Sequence, residues 1–242
     1  MDFSPQMRLD RFYSDRIEDG KIILYGQENE HAVRVLRKRT GDTVAVFDGK
    51  GNEFIAKIVQ VGKGQSILEI IQKVPSREYP FHIAVAQSLI KHNRWDWFLE
   101  KITEIGVKEI IPLLTEHAVV KTEAKKSRWE KIILNACKQS GRQSIPSLHP
   151  PIDIEELIGI SGTYTTRLVA HPGGREIIQV PLSSRILIAI GPEGGFSGAE
   201  VEKLEESGFV RVSLGRFILR SETAPVYAAS VLVQRLLNHS GG

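Results

Sequence analysis

The stretch that decides the fold class is RILIAIGPEGGF, which occupies residues 185–196. Its first half, from Arg185 to Ile190, predicts a buried strand, and a glycine-rich loop follows without a break. Ser197 and Glu200 then have the spacing of a capping box, so we expect a helix to begin after the loop. A buried strand that leads through a short loop into a helix is typical of a parallel α/β sheet.

The same alternation of strand and helix extends over the whole chain after Pro80. Four more strands are predicted, at 82–87, 109–114, 167–170 and 210–213. Three more helices are predicted, from Arg94 to Ile105, from a second capping box at Ser127 and Glu130 to about residue 139, and from an N-cap at Ser221 to about residue 237. This part of the chain is therefore expected to form an α/β domain.

Residues 1–73 have a different pattern, rich in short apolar strands. The runs at 43–47 and 54–59 flank a turn cluster at 48–52 and predict a β-hairpin, and 66–71 predicts a further strand. One helix is expected from Glu28 to Lys38, with its apolar positions at Ala32, Val33, Val35 and Leu36. These elements predict a small, closed β-barrel with one helix.

A proline-containing segment separates the two patterns. Pro75 and Pro80 interrupt both periodicities, so we place the domain boundary there and divide the chain into 1–73 and 74–242.

Composition limits the classes of function. The chain has 242 residues, a formal net charge of +3 and 41% hydrophobic residues, which suits a globular protein and permits a nucleic-acid partner without requiring one. Cys137 is its one cysteine, which excludes an internal disulfide and a cysteine-rich zinc site. The charged N-terminus lacks a signal-peptide core, and no apolar run reaches the roughly 18 residues of a membrane span, so we expect a cytoplasmic protein.

The loop at 191–196 is a candidate ligand site because ligands of open α/β sheets bind at the carboxyl ends of the strands. It lacks the Gly-Lys-Ser/Thr of a phosphate-binding loop, which favours a ligand read by backbone groups. The alternative is a plain turn between strand and helix. A second loop, 214–220, contains Phe217, Ile218 and Leu219, which either bury beneath the sheet or form an apolar slot for a nucleobase.

Two long motifs are more specific in combination. They are GPEGGF at 191–196 and LGRFILRSETA at 214–224, supported by KITEIGV at 101–107, Pro112, QSGR at 139–142, Pro146, RFY at 11–13 and HAVRVLR at 31–37. On these residues the sequence resembles the RsmE family of ribosomal RNA methyltransferases, members of the SPOUT superfamily, over nearly its whole length. The resemblance implies a PUA-like N-terminal barrel, a C-terminal α/β domain with a deep trefoil knot, and a homodimer.

The resemblance also implies a reaction, a cofactor and a set of site residues. The reaction is methylation of N3 of a uridine in 16S ribosomal RNA of the small subunit, with S-adenosylmethionine as cofactor and no metal. The expected cofactor-binding residues are His171, Gly173, Gly191, Pro192, Glu193, Gly194, Gly195, Leu214, Gly215, Ile218, Leu219, Arg220, Thr223 and Ala224. The candidates for handling the target base are Arg142 and Arg220, and those for proton removal are Glu193 and Glu222.

Several residues have an alternative reading. His171 also fits a plain turn before Pro172, and Glu222 at a helix start also fits a residue that only complements the helix dipole. The candidate RNA contacts of the N-terminal domain are Arg11, Tyr13, Arg34, Arg37, Lys38 and Arg39. That domain carries 12 Lys and Arg against 11 Asp and Glu, so a solvated helix end is an equal alternative for its basic run.

Two other functions stay open at this point. Related knotted enzymes methylate transfer RNA, and a protein of this fold could be a non-catalytic RNA-binding or ribosome-assembly factor. An enzyme acting on small nucleotides is disfavoured because no phosphate-binding motif is present.

Overall fold

The computed structural model describes residues 9–118 and 126–239. These residues form two compact units. The first unit comprises the described residues of Met1–Glu78 together with Cys137–Ile145, and the second comprises those of Tyr79–Ala136 and Pro146–Gly242.

The first unit is built on a six-stranded sheet in the order β1-β4-β5-β6-β3-β2. Its strands are β1 (Arg11–Tyr13), β2 (Ile17–Glu18), β3 (Lys21–Tyr25), β4 (Thr43–Phe47), β5 (Glu53–Gln60) and β6 (Gln65–Val74). Strands β4 and β5 form the predicted hairpin, whereas β1, β2 and β3 were not predicted. Only the β1–β4 pair is parallel, and the other neighbours are antiparallel.

The predicted helix from Glu28 to Lys38 is wrong in its extent and in its buried face. Helix α1 spans Gly26–Glu30 and continues as a π-helical turn, His31–Val35. Arg37 then has a φ of 53°, outside the right-handed helical region. Ala32 is buried, but Val35 is 65% exposed and Leu36 36% exposed. The wider π-helical turn changes the angular spacing of the side chains, so the 3.6-residue pattern no longer selects the buried face.

A buried carboxylate of the first unit, that of Glu53, accepts hydrogen bonds from three side chains. Glu53, at the start of β5, accepts hydrogen bonds from Arg11 Nε at 2.7 Å and from Arg77 Nη2 at 2.7 Å. Gln143 Nε2 adds a third donor at 3.2 Å. Because a buried charge is tolerated only when it is paired and hydrogen-bonded, these donors account for Glu53 in the interior.

The second unit is a six-stranded parallel sheet in the order β12-β10-β11-β7-β8-β9, which confirms the α/β fold. Its strands are β7 (His82–Ser88), β8 (Glu109–Leu113), β9 (Ser147–Leu148), β10 (Thr166–Glu176), β11 (Arg185–Ile190) and β12 (Val210–Ser213). Strand β11 lies between β10 and β7, so the loop that follows it begins in the middle of the carboxyl edge.

Helices alternate with these strands as predicted. They are α2 (His92–Ile105), α3 (Lys126–Ser140), α4 (Ile154–Ser161), α5 (Gly198–Glu206) and α6 (Thr223–His239). The capping box at Ser197 and Glu200 is present at the start of α5. The one predicted at Ser127 is wrong, because α3 already includes Lys126. Ser221 lies before the first residue of α6 rather than capping it directly, and α4 was not predicted.

The described residues contain no helix long and apolar enough to cross a membrane. Nor do these residues contain a group of three or more His, Cys, Asp or Glu side chains that could hold a metal ion.

Candidate cofactor site at the carboxyl edge of the parallel sheet

The first loop of the site, Gly191 to Phe196, is joined to the neighbouring strand by a buried side chain. Gln87, near the end of β7, is fully buried, and its Nε2 donates to the carbonyl oxygens of Gly191 at 3.2 Å and Ser88 at 3.0 Å. Its Oε1 is also buried and has no hydrogen-bond donor among the described residues. The loop is therefore fixed at its first residue, and a buried acceptor lies beside it.

Glycine is required at two positions of this loop for different reasons. A Cβ on Gly191 would lie 2.9 Å from the carbonyl carbon of Gly195 and 2.9 Å from the nitrogen of Phe196, and both are backbone atoms. Gly195 has a φ of 71° and donates its N–H to the carbonyl oxygen of Pro192 at 2.9 Å. The loop is thus a tight turn that a side chain at either position would disturb.

The second loop lies between β12 and α6. Phe217 is 86% exposed and Ile218 91% exposed, so of the two alternatives for this segment, burial beneath the sheet is wrong for both residues. The backbone N–H groups of residues 215–219 donate to no acceptor within the part of the chain that the structure describes. The same holds for the N–H groups of Glu193 and Gly194 in the first loop. Both loops therefore offer backbone donors to a ligand.

The third predicted loop, from His171 to Gly173, lies inside β10. The register of β10 with β12 shifts between Ala170 and Arg175, so these residues form an irregularity within a strand that continues to Glu176. A Cβ on Gly174 would lie 2.7 Å from backbone atoms of Arg211 and Val212, which shows how closely the two strands approach. The prediction that the strand ends at Ala170 is wrong, because the ladder resumes after the irregularity.

A charged cluster connects the first loop to the start of α6. Arg94 Nη1 lies 3.2 Å from Glu193 Oε1, and Arg94 Nε lies 3.7 Å from Glu222 Oε1. The structure thus brings together the two carboxylates predicted to remove a proton. Arg94 was missed by sequence reasoning, since an arginine in the first turn of a helix carries no motif of its own. Arg220 is exposed nearby in sequence, two residues before Glu222.

Arg142, predicted to act on the target base, lies in the first unit. It is 8% exposed, its Nη2 is 3.3 Å from Ser144 Oγ, and the same nitrogen lies 3.8 Å from Glu78 Oε2. The cluster of Arg94, Glu193 and Glu222 belongs to the second unit. Arg142 thus has structural contacts within its own unit.

The predicted RNA contacts divide into buried and exposed residues. Arg11 donates to Glu53 and to the carbonyl oxygen of Cys137 at 2.7 Å, and its guanidinium lies over the ring of Phe47. Lys38 pairs with Asp10 at 2.6 Å. Tyr13 is half-buried, and burial raises its pKa. Exposed cations are found instead at Arg34, Arg37 and Arg39.

A second polar cluster lies at the amino edge of the parallel sheet. Glu109, the first residue of β8, accepts hydrogen bonds from His149 at 2.8 Å, from Tyr164 at 3.0 Å and from His82 at 2.5 Å. The hydrogen bond from His149 is the largest cause that lowers the pKa of Glu109 to about 2, and those from Tyr164 and His82 add to it. Because the strands start here, this cluster is at the opposite edge from the glycine loops.

Known proteins resemble the chain over most of its length. The RNA methyltransferase domain family matches residues 77–233, and the RNA methyltransferase PUA domain family matches residues 24–71. Ribosomal RNA small subunit methyltransferase E of Bacillus subtilis is 33% identical over 86% of this chain and 87% of its own length. The protein of that name from Buchnera aphidicola (strain APS) is 31% identical over 93% of each chain.

Two solved structures share the fold. Ribosomal RNA small subunit methyltransferase E from Neisseria gonorrhoeae, bound to S-adenosyl methionine, has a TM-score of 0.86 and 31% identity, with 95% of this chain and 98% of the other covered. A Legionella pneumophila protein in complex with the cofactor SAM also has a TM-score of 0.86, with 32% identity and the same coverage.

Proposed function

Because this chain belongs to the RNA methyltransferase family that includes ribosomal RNA small subunit methyltransferase E, we propose that it methylates N3 of a uridine in 16S ribosomal RNA. The chain is an S-adenosylmethionine-dependent methyltransferase of small-subunit ribosomal RNA. The observation that carries the proposal is the pair of loops at the carboxyl edge, in which the backbone N–H groups of Glu193, Gly194 and residues 215–219 are without internal acceptors among the described residues.

The groups at this edge fit the cofactor. S-adenosylmethionine presents amino groups, a carboxylate, ribose hydroxyls and a purine. These groups need hydrogen-bond donors and acceptors from the protein. The loops supply free N–H donors, Gly191 allows close approach, and Gln87 Oε1 is a buried acceptor without a donor in the described chain. We assign cofactor binding to His171, Gly173, Gly191, Pro192, Glu193, Gly194, Gly195, Leu214, Gly215, Ile218, Leu219, Arg220, Thr223 and Ala224.

The bound cofactor supplies an activated methyl group, and the chain has two remaining tasks. The first is alignment of the reactants, which contributes up to roughly 7–11 kcal/mol in well-oriented reactions. The second is removal of the proton from uridine N3. A carboxylate, either Glu222 or Glu193, accepts that proton, and the exposed guanidinium of Arg220 stabilises the negative charge that develops on the base. Arg142 is the second proposed cation.

RNA is proposed to contact the N-terminal domain, residues 1–73, through the exposed guanidinium groups of Arg34, Arg37 and Arg39. Such cations contact phosphates and orient RNA without reading its sequence. Arg11, Tyr13 and Lys38 support this surface from partly buried positions, since each has a partner inside the first unit.

The remaining features follow from family membership and are part of the proposal. They are closure of the N-terminal sheet into a PUA-like barrel, a deep trefoil knot in the C-terminal domain of residues 74–242, a homodimer, and action in the cytoplasm.

Isothermal titration calorimetry with S-adenosylmethionine tests the proposal and separates a catalyst from a simple RNA-binding factor. We expect saturable binding with one site per chain. If the folded protein shows no binding heat while it still binds ribosomal RNA, the enzymatic proposal fails and a non-catalytic assembly factor becomes the better account.

A further inference from the structure

One arginine bridges two carboxylates that belong to separate loops of the cofactor site. Arg94 lies in the first turn of α2, with its Nη1 3.2 Å from Glu193 Oε1 and its Nε 3.7 Å from Glu222 Oε1. Glu193 belongs to the loop after β11, and Glu222 precedes the first residue of α6. A single guanidinium therefore connects elements 29 residues apart in sequence.

The arginine is held on a rigid support. Trp95, its neighbour in α2, is 2% exposed, and its ring contacts the rings of Phe98 at 5.0 Å and Trp129 at 5.2 Å between centroids. Helix α2 also packs against α6. The backbone that carries Arg94 is thus fixed by packing, and the guanidinium is held by its contacts with the two carboxylates.

The contact differs from an isolated surface ion pair because one cation is shared by two partly buried carboxylates. The side chain of Glu222 is 14% exposed and that of Glu193 31% exposed, whereas that of Arg94 is 40% exposed. Two carboxylates near each other repel unless a cation lies between them. Arginine suits this position because its planar guanidinium presents several donors in fixed directions, whereas a lysine ammonium is a single point of charge.

We propose that Arg94 is a positioning residue, which sets the distance between the two cofactor loops by holding Glu193 and Glu222 on one guanidinium. This inference rests on the proposed function and deepens it. Arg94 acts through the two glutamates, so that the carboxylate that accepts the proton from the target base, Glu222 or Glu193, is held in a defined orientation.

The test compares Arg94→Gln and Arg94→Lys with a matched control, Arg211→Gln. Arg211 pairs with Glu205, and the two side chains are 36% and 38% exposed, so the control removes a similar ion pair from the same unit. Binding is measured by calorimetry with S-adenosylhomocysteine. The sulfur of this product is uncharged, so its affinity reports loop geometry and not attraction of a sulfonium to the glutamates.

We expect Arg94→Gln to weaken binding of S-adenosylhomocysteine about 5- to 20-fold, since each of two shared pairs contributes up to a few-fold. We expect kcat to fall about 10-fold as well, whereas KM for RNA changes less than 2-fold. Arg94→Lys is expected to restore part of both losses. In the Arg94→Gln background, Glu222→Gln should recover part of the binding, because the repulsion between carboxylates is relieved.

The outcomes separate this inference from the proposed function. If the unmodified protein binds neither cofactor nor product, the proposed function fails and the inference falls with it. If it binds both, and Arg94→Gln behaves like Arg211→Gln in affinity and kcat, the positioning role alone is wrong. Thermal unfolding shows whether Arg94→Gln has lost its fold. If it has, Arg94→Lys and Glu222→Gln decide whether Arg94 has the positioning role.

Discussion

Gln87 and Gly191 are joined by a buried hydrogen bond from the side-chain amide of one to the carbonyl oxygen of the other, at 3.2 Å. The bond connects the end of β7 to the first residue after β11, its neighbour in the sheet. Because Gln87 is fully buried and also bonded to the carbonyl oxygen of Ser88, the amide cannot shift freely. Gly191 is therefore held in place where its backbone approaches Gly195 and Phe196.

Gly191→Ala should accordingly disrupt the cofactor loop. The added Cβ would meet two backbone atoms at 2.9 Å, and neither is the flexible end of a side chain. We expect the free energy of unfolding to fall by about 1–3 kcal/mol and cofactor affinity to fall by at least about 10-fold. Urea unfolding and calorimetry measure the two effects. Gly198→Ala, in open space at the start of α5, is the control and should leave affinity unchanged.

The stability of the second unit should depend on pH through Glu109. Its pKa is lowered to about 2, chiefly by the hydrogen bond from His149. Because the folded-state pKa lies below the unfolded one, this contribution is complete above about pH 4.5 and is lost as the pH falls toward about 2. Glu109→Gln should remove about 2 kcal/mol at neutral pH and flatten the acid limb of the stability profile.

Acid titration followed by circular dichroism, together with urea unfolding at several pH values, measures this dependence. The control is Glu202→Gln, because Glu202 is exposed in α5 and makes no side-chain hydrogen bond or ion pair among the described residues. An unchanged acid limb in Glu109→Gln would show that the cluster with His149 does not contribute to stability.

The single cysteine should be unreactive in the folded protein. Cys137 is fully buried, burial raises the pKa of its thiol to about 11, and its Sγ lies 3.7 Å from the carbonyl oxygen of Ser144. The thiolate is the reactive form, so an aromatic disulfide reagent should label the native protein at least about 100-fold more slowly than the unfolded protein at neutral pH. Rapid stoichiometric labelling of native protein would contradict the burial of this thiol.

Exposed arginines in the first unit should account for part of the salt dependence of RNA binding. Replacing Arg34, Arg37 and Arg39 by glutamine should reduce the slope of log K against log salt by about 0.7 per lost phosphate contact on single-stranded RNA. A variant with Lys57, Lys63 and Lys73 changed to glutamine removes the same charge from other exposed positions of that unit. Equal slopes for the two triple variants would indicate that only net charge matters.

Local patterns predicted the second unit well because its signals are short-range. The strand at 185–190 and the capping box at Ser197 lie where the pattern placed them. The irregularity at 171–174 was not predictable, since it depends on pairing between β10 and β12, whose partner residues are far apart in the sequence. Arg94 was missed for the same reason, because its partners Glu193 and Glu222 come close only through the sheet order.

The first unit shows where periodicity fails. The π-helical turn at His31–Val35 is followed by a left-handed Arg37, and the two together end a helix that its apolar spacing would have extended to Lys38. The contacts of Arg11 could not be predicted from local patterns either. Arg11 was a candidate RNA contact, but its guanidinium donates inside the unit to Glu53 and to a backbone carbonyl far along the chain.

The central claim is most directly tested by transfer of an isotopically labelled methyl group from S-adenosylmethionine to small ribosomal subunits that lack this modification, followed by mass spectrometry of the nucleosides. The account predicts labelled 3-methyluridine at one position of 16S ribosomal RNA, much less of it after Gly191→Ala, and none in transfer RNA. Labelled methyl groups in transfer RNA, on another atom of the base, or in no RNA at all would contradict it.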